Sequence, residues 1–336
     1  MKAKKITIFV LLLMFFLYLI TQTEKVTACV VDALSLCVSA VIPSLFPFFV
    51  LSGILVNSGL AALFGKILTP VSKFLFKTSG VGAFAFVIGI ICGYPTGAKV
   101  IADMCKEKRL SQKEASRLLA FCNNSGPLFI IGAVGTNMMH NHSLGIALYM
   151  IHFLSAVFVG VLLRSFGKSE ISVQKNIICA SNISTAVGKS VESAVKSILN
   201  VCGYVVFFSI VCAMVKNAIL VSVLEVTTGA KMLIAQGFSE KTTFILLSGA
   251  VGFGGICVLF QVQGEAVKAG MSLRFYALGK VIQALSSMAM AYMYVNIFEI
   301  KPVFSVMSAP ESSINSVVII FLSGAFYSLI RLTKKG

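Results

Sequence analysis

Between Ser39 and Leu63 the chain stays apolar for long enough to cross about 30 Å of hydrocarbon at 1.5 Å per residue, yet it carries Pro43-Ser44-Leu45-Phe46-Pro47 inside that run. Apolar runs beside helix breakers recur along the sequence. Gly93-Tyr94-Pro95 closes the run Gly80 to Cys92, Asn123-Asn124-Ser125-Gly126-Pro127 precedes Leu128 to Met139, and Gly249, Gly252, Gly254 and Gly255 interrupt Ser239 to Val262. Broken backbone inside a bilayer survives only where protein buries it or a water-filled cavity faces it. The pattern therefore calls for a bundle with an interior rather than a set of independent anchors.

Composition points the same way. Hydrophobic residues make up 57% and charged residues 12%, too little polar surface to coat a soluble particle. A soluble enzyme, a disordered chain and a disulfide scaffold are excluded together. The net charge of +16 arises from 28 basic and 12 acidic residues, an excess that membrane proteins keep in cytoplasmic loops and at anionic headgroups. The expected partner is thus the lipid bilayer and not nucleic acid. Nine cysteines are scattered without Cys-x-x-Cys spacing. His140, His142 and His152 have no carboxylate or thiol at ligand spacing, so neither metal nor cofactor is expected.

The expected fold is an all-α polytopic membrane protein with roughly seven to nine crossings and re-entrant hairpins. Residues 1–25 read as a retained N-terminal membrane anchor, 26–166 as a first repeat, 167–185 as a polar linker, 186–298 as a second repeat and 299–336 as a C-terminal transmembrane helix around Ile314 to Leu332. Two prolines four residues apart predict a kink in the Ser39 to Leu63 span. Ser111 to Cys122 reads as amphipathic, with Lys113, Glu114 and Arg117 on its polar face. Leu128 to Met139 is too short to span and suits the second arm of a re-entrant hairpin. A helical stripe from Val187 to Leu199 precedes a span from Val201 to Leu224.

The halves echo each other. Asp32, Val41, Phe48, Asn57 and Leu60 find counterparts in Glu192, Val201, Phe208, Asn217 and Leu220, and Thr96-Gly97-Ala98-Lys99 recurs as Thr228-Gly229-Ala230-Lys231. A Ser-Gly pair follows each, Ser125-Gly126 and Ser248-Gly249. Repeats with helices broken at corresponding positions mark secondary transporters whose substrate site lies at the repeat interface, and the repeats here are expected to be inverted.

Asn123, Asn124, Ser125 and Gly126 fall where a hairpin tip belongs, ahead of Pro127, which starts a helix well. Free N–H groups and the positive dipole end there suit a carboxylate or phosphate; the competing reading is an ordinary Asn/Ser cap. Thr96, Gly97 and Lys99 from one half, with Lys231, Ser248 and Gly249 from the other, complete the candidate substrate site. Both lysines also fit snorkelling helix ends. Glu225 is the candidate for a coupling proton, against an interfacial carboxylate. Gln261, Gln263, Glu265 and Gln283 are weaker candidates, and His152 reads as a satisfied bundle histidine. The Gly-x-Gly-Gly at 252–255 lacks the Lys-Ser/Thr of a phosphate loop, so it reads as packing or hairpin-tip glycine.

Three stretches, Val41 to Val50 with its two prolines, Gly93-Tyr94-Pro95-Thr96-Gly97-Ala98-Lys99 and Cys122 to Gly132, resemble the YlbJ (SpoVV) family of sporulation integral membrane proteins. More loosely they resemble the nucleoside-recognition, or gate, domain shared with concentrative nucleoside transporters. The resemblance covers most of the chain and is strongest over residues 30–165. It implies a role in endospore formation in the mother cell, passing dipicolinic acid, a flat aromatic dianion, across the outer forespore membrane. The chain looks shorter than typical members in its second half. The expected activity is transport of a small-molecule anion, with no enzymatic reaction, by a protein that can form homo-oligomers. A nucleoside permease and a non-transporting assembly factor for the spore envelope are the rivals.

Overall fold

A computed structural model describes residues 2–166 and 182–298. The run Ile314 to Leu332 and most of the polar linker lie outside the described residues, which form helices and no strand. The protein is an all-α polytopic membrane protein.

The chain opens with α1 (Lys2–Thr21) and α2 (Thr23–Leu36), which meet at 94°. A π-helical turn, Cys37–Val41, leads into α3 (Ile42–Asn57), and α4 (Leu60–Phe76) follows after a bend of 88°. The expected proline kink is therefore displaced. Pro43 sits in the first turn of α3, where its missing N–H costs little, and the wide turn lies just ahead of it. The sharp bend falls instead at Ser58-Gly59, where Gly59 adopts a left-handed φ of 79°.

Two series of interrupted helices follow. The first contains α5 (Gly80–Cys92), α6 (Thr96–Lys106), α7 (Gln112–Cys122), the π-helical segment Leu128–Met138 and the long α8 (His142–Leu162). The second begins with α9 (Ile183–Ala213), then α10 (Ala218–Leu224), α11 (Val226–Ala235), α12 (Glu240–Phe253), α13 (Gly255–Lys268) and the long α14 (Arg274–Ile297). From α5 and from α10 onward the order is the same: short helix, break, two short helices, break, short helix, long helix. The stripe of 187–199 and the span beginning at Val201 are one helix, α9, which ends at Ala213 and not at Leu224.

Among the described residues three helical stretches are long and apolar enough to cross a membrane (His142–Phe166, Ile183–Ala213 and Glu240–Lys268), or five if each bent pair counts as one span. Beside these, α5, α11 and Leu128–Met138 are apolar but too short to cross. Large apolar side chains stay exposed along α1, α4, α8 and the end of α14, for example Ile67 at 73% and Phe74 at 75%. Such a surface belongs against lipid. The interior has two principal apolar clusters, one around α5, α6 and α7 and one around α8, α11, α12 and α14, and Tyr94 and Tyr149 pack against both.

Polar caps start the pieces. Ser79 Oγ accepts from Gly82 N (3.3 Å), Ser111 Oγ from Glu114 N (3.2 Å), Asn141 Oδ1 from Leu144 N (3.0 Å) and Asn217 Oδ1 from Leu220 N (3.1 Å). The polar face expected on α7 is not a solvent face. Glu114 and Arg117 are buried; Glu114 Oε1 accepts the Ser79 N–H (2.8 Å), while Arg117 donates to the carbonyls of Phe76 (3.1 Å) and Lys77 (2.8 Å). Both charges satisfy backbone groups at the α4–α5 junction, and that keeps a charged helix inside the fold.

Candidate functional site

The interruptions of the two series meet. A Cβ placed on Gly93, whose φ is +80°, would stand 2.9 Å from Gly126 N, so the break after α5 lies directly on the break after α7. In the second series, a Cβ on Gly255 would stand 3.2 Å from Leu224 O and 3.4 Å from Glu225 Cα, which places the α12–α13 break on the α10–α11 break. Tyr94 joins the two pairs: its ring lies 3.7 Å from a Cβ built on Gly254. Glycine is required at 93, 254 and 255, each with positive φ.

Gly89 and Gly97 bring α5 and α6 onto the carbonyl of Cys122, at the last residue of α7. The Ala98 N–H then reaches Asn123 Oδ1 (3.4 Å), and Asn123 Nδ2 donates to the Tyr276 hydroxyl (3.3 Å). From Asn124 a chain of amides runs into α14. Asn124 Nδ2 donates to Phe121 O (2.6 Å), Gln283 Nε2 donates to Asn124 Oδ1 (3.0 Å), and Lys280 Nζ donates to Gln283 Oε1 (2.8 Å). Ser125 N donates to His152 Nε2 (3.1 Å), and Ser287 Oγ bonds Ser155 Oγ (2.9 Å). Asn123, Asn124, Ser125, His152, Lys280 and Gln283 are all buried. The tip of the first series is thus held by the long helix of the second, which closes on α7 where Gly279 faces Ala120.

A cavity of about 250 Å³ opens beside this crossing, lined among others by Pro95, Lys99, Tyr204, Gln261, Glu265 and Lys268. Lys99 Nζ is held by Ser193 Oγ (2.6 Å) and Asp103 Oδ2 (3.3 Å), and Lys268 pairs with Glu265 (3.3 Å). Gln261 donates to Cys257 Sγ (3.4 Å), while its Oε1 is buried without a partner. Such a lining can hold a small polar molecule by its charges.

Thr96, Gly97, Lys99 and Asn123 to Gly126 are brought together by the first-series breaks. The second-half candidates are not brought to them in the same way. Lys231 is exposed on α11. Ser248 and Gly249 lie inside α12, where Ser248 Oγ bonds Ile245 O (2.7 Å) and a Cβ on Gly249 would meet Met288 Cγ at 2.7 Å, a packing role against α14. The counterpart of the Asn123–Pro127 break is Gly254-Gly255. Glu225 is the N-cap of α11: its two carboxylate oxygens accept from Thr227 N (2.8 Å) and Thr228 N (2.7 Å).

Tyr276 and Lys280 were not singled out by motif reading, and Tyr94 only as part of the Gly93 to Lys99 stretch. A signal for Lys280 existed, since it is the one charged residue between Phe275 and Phe298, and an ionisable group inside a span marks function.

Fold and site together define a polytopic membrane protein whose interior is built from paired helix breaks. Residues 38–137, which hold the whole tip of the first series, match the Gate family, described as nucleoside recognition. The sporulation integral membrane protein YlbJ of Bacillus subtilis (strain 168) is 30% identical, over 75% of this chain and 73% of that protein. The chain belongs to this family of sporulation integral membrane proteins, as its three motifs indicated. No solved structure matches.

Proposed function

We propose that the protein is a transporter that carries a small polar anion through the membrane during endospore formation, and that the anion is dipicolinic acid crossing the outer forespore membrane. One observation carries the reading: four helix interruptions from two similar series converge next to a polar cavity of about 250 Å³. In a bilayer such interruptions are sustained at solute sites. On this reading residues 26–166 and 186–298 are the two repeats, inverted relative to one another, and alternating access rocks one against the other around Gly93, Gly126, Gly254 and Gly255. Lys99 and the Asn123-Asn124-Ser125-Gly126 tip meet the substrate from the first repeat. Tyr204, which lines the cavity, supplies an aromatic side chain that suits a flat aromatic acid.

Deleting the gene in a spore-forming host tests the assignment. Spores depleted of dipicolinate support it, and spores of normal dipicolinate content contradict it. The match to a nucleoside-recognition family over residues 38–137 favours a second reading, a nucleoside permease, which predicts uridine uptake that Asn124→Ala abolishes.

A further inference from the structure

Lys280 is 2% exposed, in the second turn of α14, and among the described residues no carboxylate pairs with it. Its one hydrogen bond goes to the neutral amide oxygen of Gln283, and the Tyr276 ring lies 5.9 Å away. A lysine ammonium has three donor hydrogens, so two find no acceptor here. Other polar groups around the tip are unused as well. Ser125 Oγ and His152 Nδ1 are buried and unpartnered, in residues each 1% exposed. Because His152 Nε2 accepts the Ser125 N–H, its proton sits on Nδ1, facing no acceptor. The Tyr94 hydroxyl is likewise buried without a partner. An ionisable group buried in a helix of a membrane protein is costly to keep and is a mark of function.

We infer that Lys280, oriented by Gln283 and Asn124, forms with Ser125 and His152 an internal binding site for a carboxylate group, with Lys280 as its countercharge. The site shares Ser125 with the proposed substrate path and rests on the transport reading for the name of the physiological ligand; the residues lining the cavity at Lys99 are others. Gln283 is the positioning residue: it locks the amine to Asn124 and so to the hairpin tip. Anion binding at Lys280 would then act on the contact between α14 and the tip, the place where the two series are joined.

The full-length protein in detergent micelles is titrated calorimetrically with dipicolinate, benzoate and phosphate, with uridine as the uncharged control, and its thermal midpoint is recorded without ligand. The wild type is expected to bind at least one carboxylate and to ignore uridine at that site. Lys280→Met keeps the length of the side chain and removes the charge; Gln283→Glu gives the lysine an internal carboxylate. Each is expected to weaken carboxylate binding at least about tenfold, as the loss of a charge-assisted hydrogen bond requires, while the ligand-free midpoint holds or rises. Undiminished binding in either folded variant overturns the inference, as does a wild type that binds none of the anions. Failure of both variants to fold also overturns it, because the charge would then be structural. If benzoate or phosphate binds through Lys280 and dipicolinate does not, the site stands and the proposed substrate falls. If Lys280→Met takes dipicolinate into vesicles as the wild type does, the transport reading stands and the site falls.

Discussion

Gly93 and Gly126 touch backbone to backbone, with a Cβ built on Gly93 only 2.9 Å from the Gly126 nitrogen. No side chain fits between them, and Gly93 also holds a φ of +80° that other L-residues rarely adopt. Gly93→Ala is therefore expected to lower stability by at least about 2 kcal/mol. Gly132, where a Cβ would meet nothing within 4 Å, serves as control: Gly132→Ala should hold or raise the midpoint. Thermal unfolding of both variants in micelles checks the pair.

Arg117 closes the carbonyl end of α4 from inside the protein. Arg117→Ala leaves the Phe76 and Lys77 carbonyls without their donor, at an expected cost of about 2–3 kcal/mol. Arg117→Lys recovers only part of this, because an ammonium cannot reach two carbonyls with a rigid fork. Chemical denaturation of the two variants orders them.

Glu225 separates capping from coupling. With both oxygens bonded to backbone N–H groups, Glu225→Gln keeps one acceptor and is expected to cost about 1 kcal/mol. Its uptake rate should keep the pH dependence of the wild type; a flattened profile would instead make Glu225 the proton carrier.

Gln261 holds an unpartnered buried oxygen at the edge of the cavity. Gln261→Leu removes an unsatisfied acceptor, so the midpoint should be unchanged or slightly raised, while affinity for a solute held in that cavity falls. Equal affinity in variant and wild type would place the solute elsewhere.

Much of this arrangement is written in local chemistry. The breaks at 93–95 and 123–127 were legible because Gly, Pro and Asn end helices wherever they occur, and Gly254-Gly255 was legible only as packing or hairpin-tip glycine. Thr96-Gly97-Ala98-Lys99 and Thr228-Gly229-Ala230-Lys231 do lie in the first turns of corresponding helices, α6 and α11. Pairing Ser248-Gly249 with Ser125-Gly126 failed because a helix interior tolerates that dipeptide, and only the Met288 packing shows its purpose. The burial of Glu114 and Arg117 was hidden, since amphipathic spacing names a polar face without naming what covers it. Lys280 escaped for a related reason: a single charge hardly changes the hydropathy of a long run, and its partners Gln283 and Asn124 are 159 positions apart in sequence.

The central claim is that the converging breaks enclose a route for a solute. Uptake of labelled dipicolinate into vesicles containing only the purified full-length protein measures it most directly. The account predicts saturable uptake well above that of protein-free vesicles, abolished by Asn124→Ala. Dipicolinate and uridine entering no faster than they enter protein-free vesicles would contradict it.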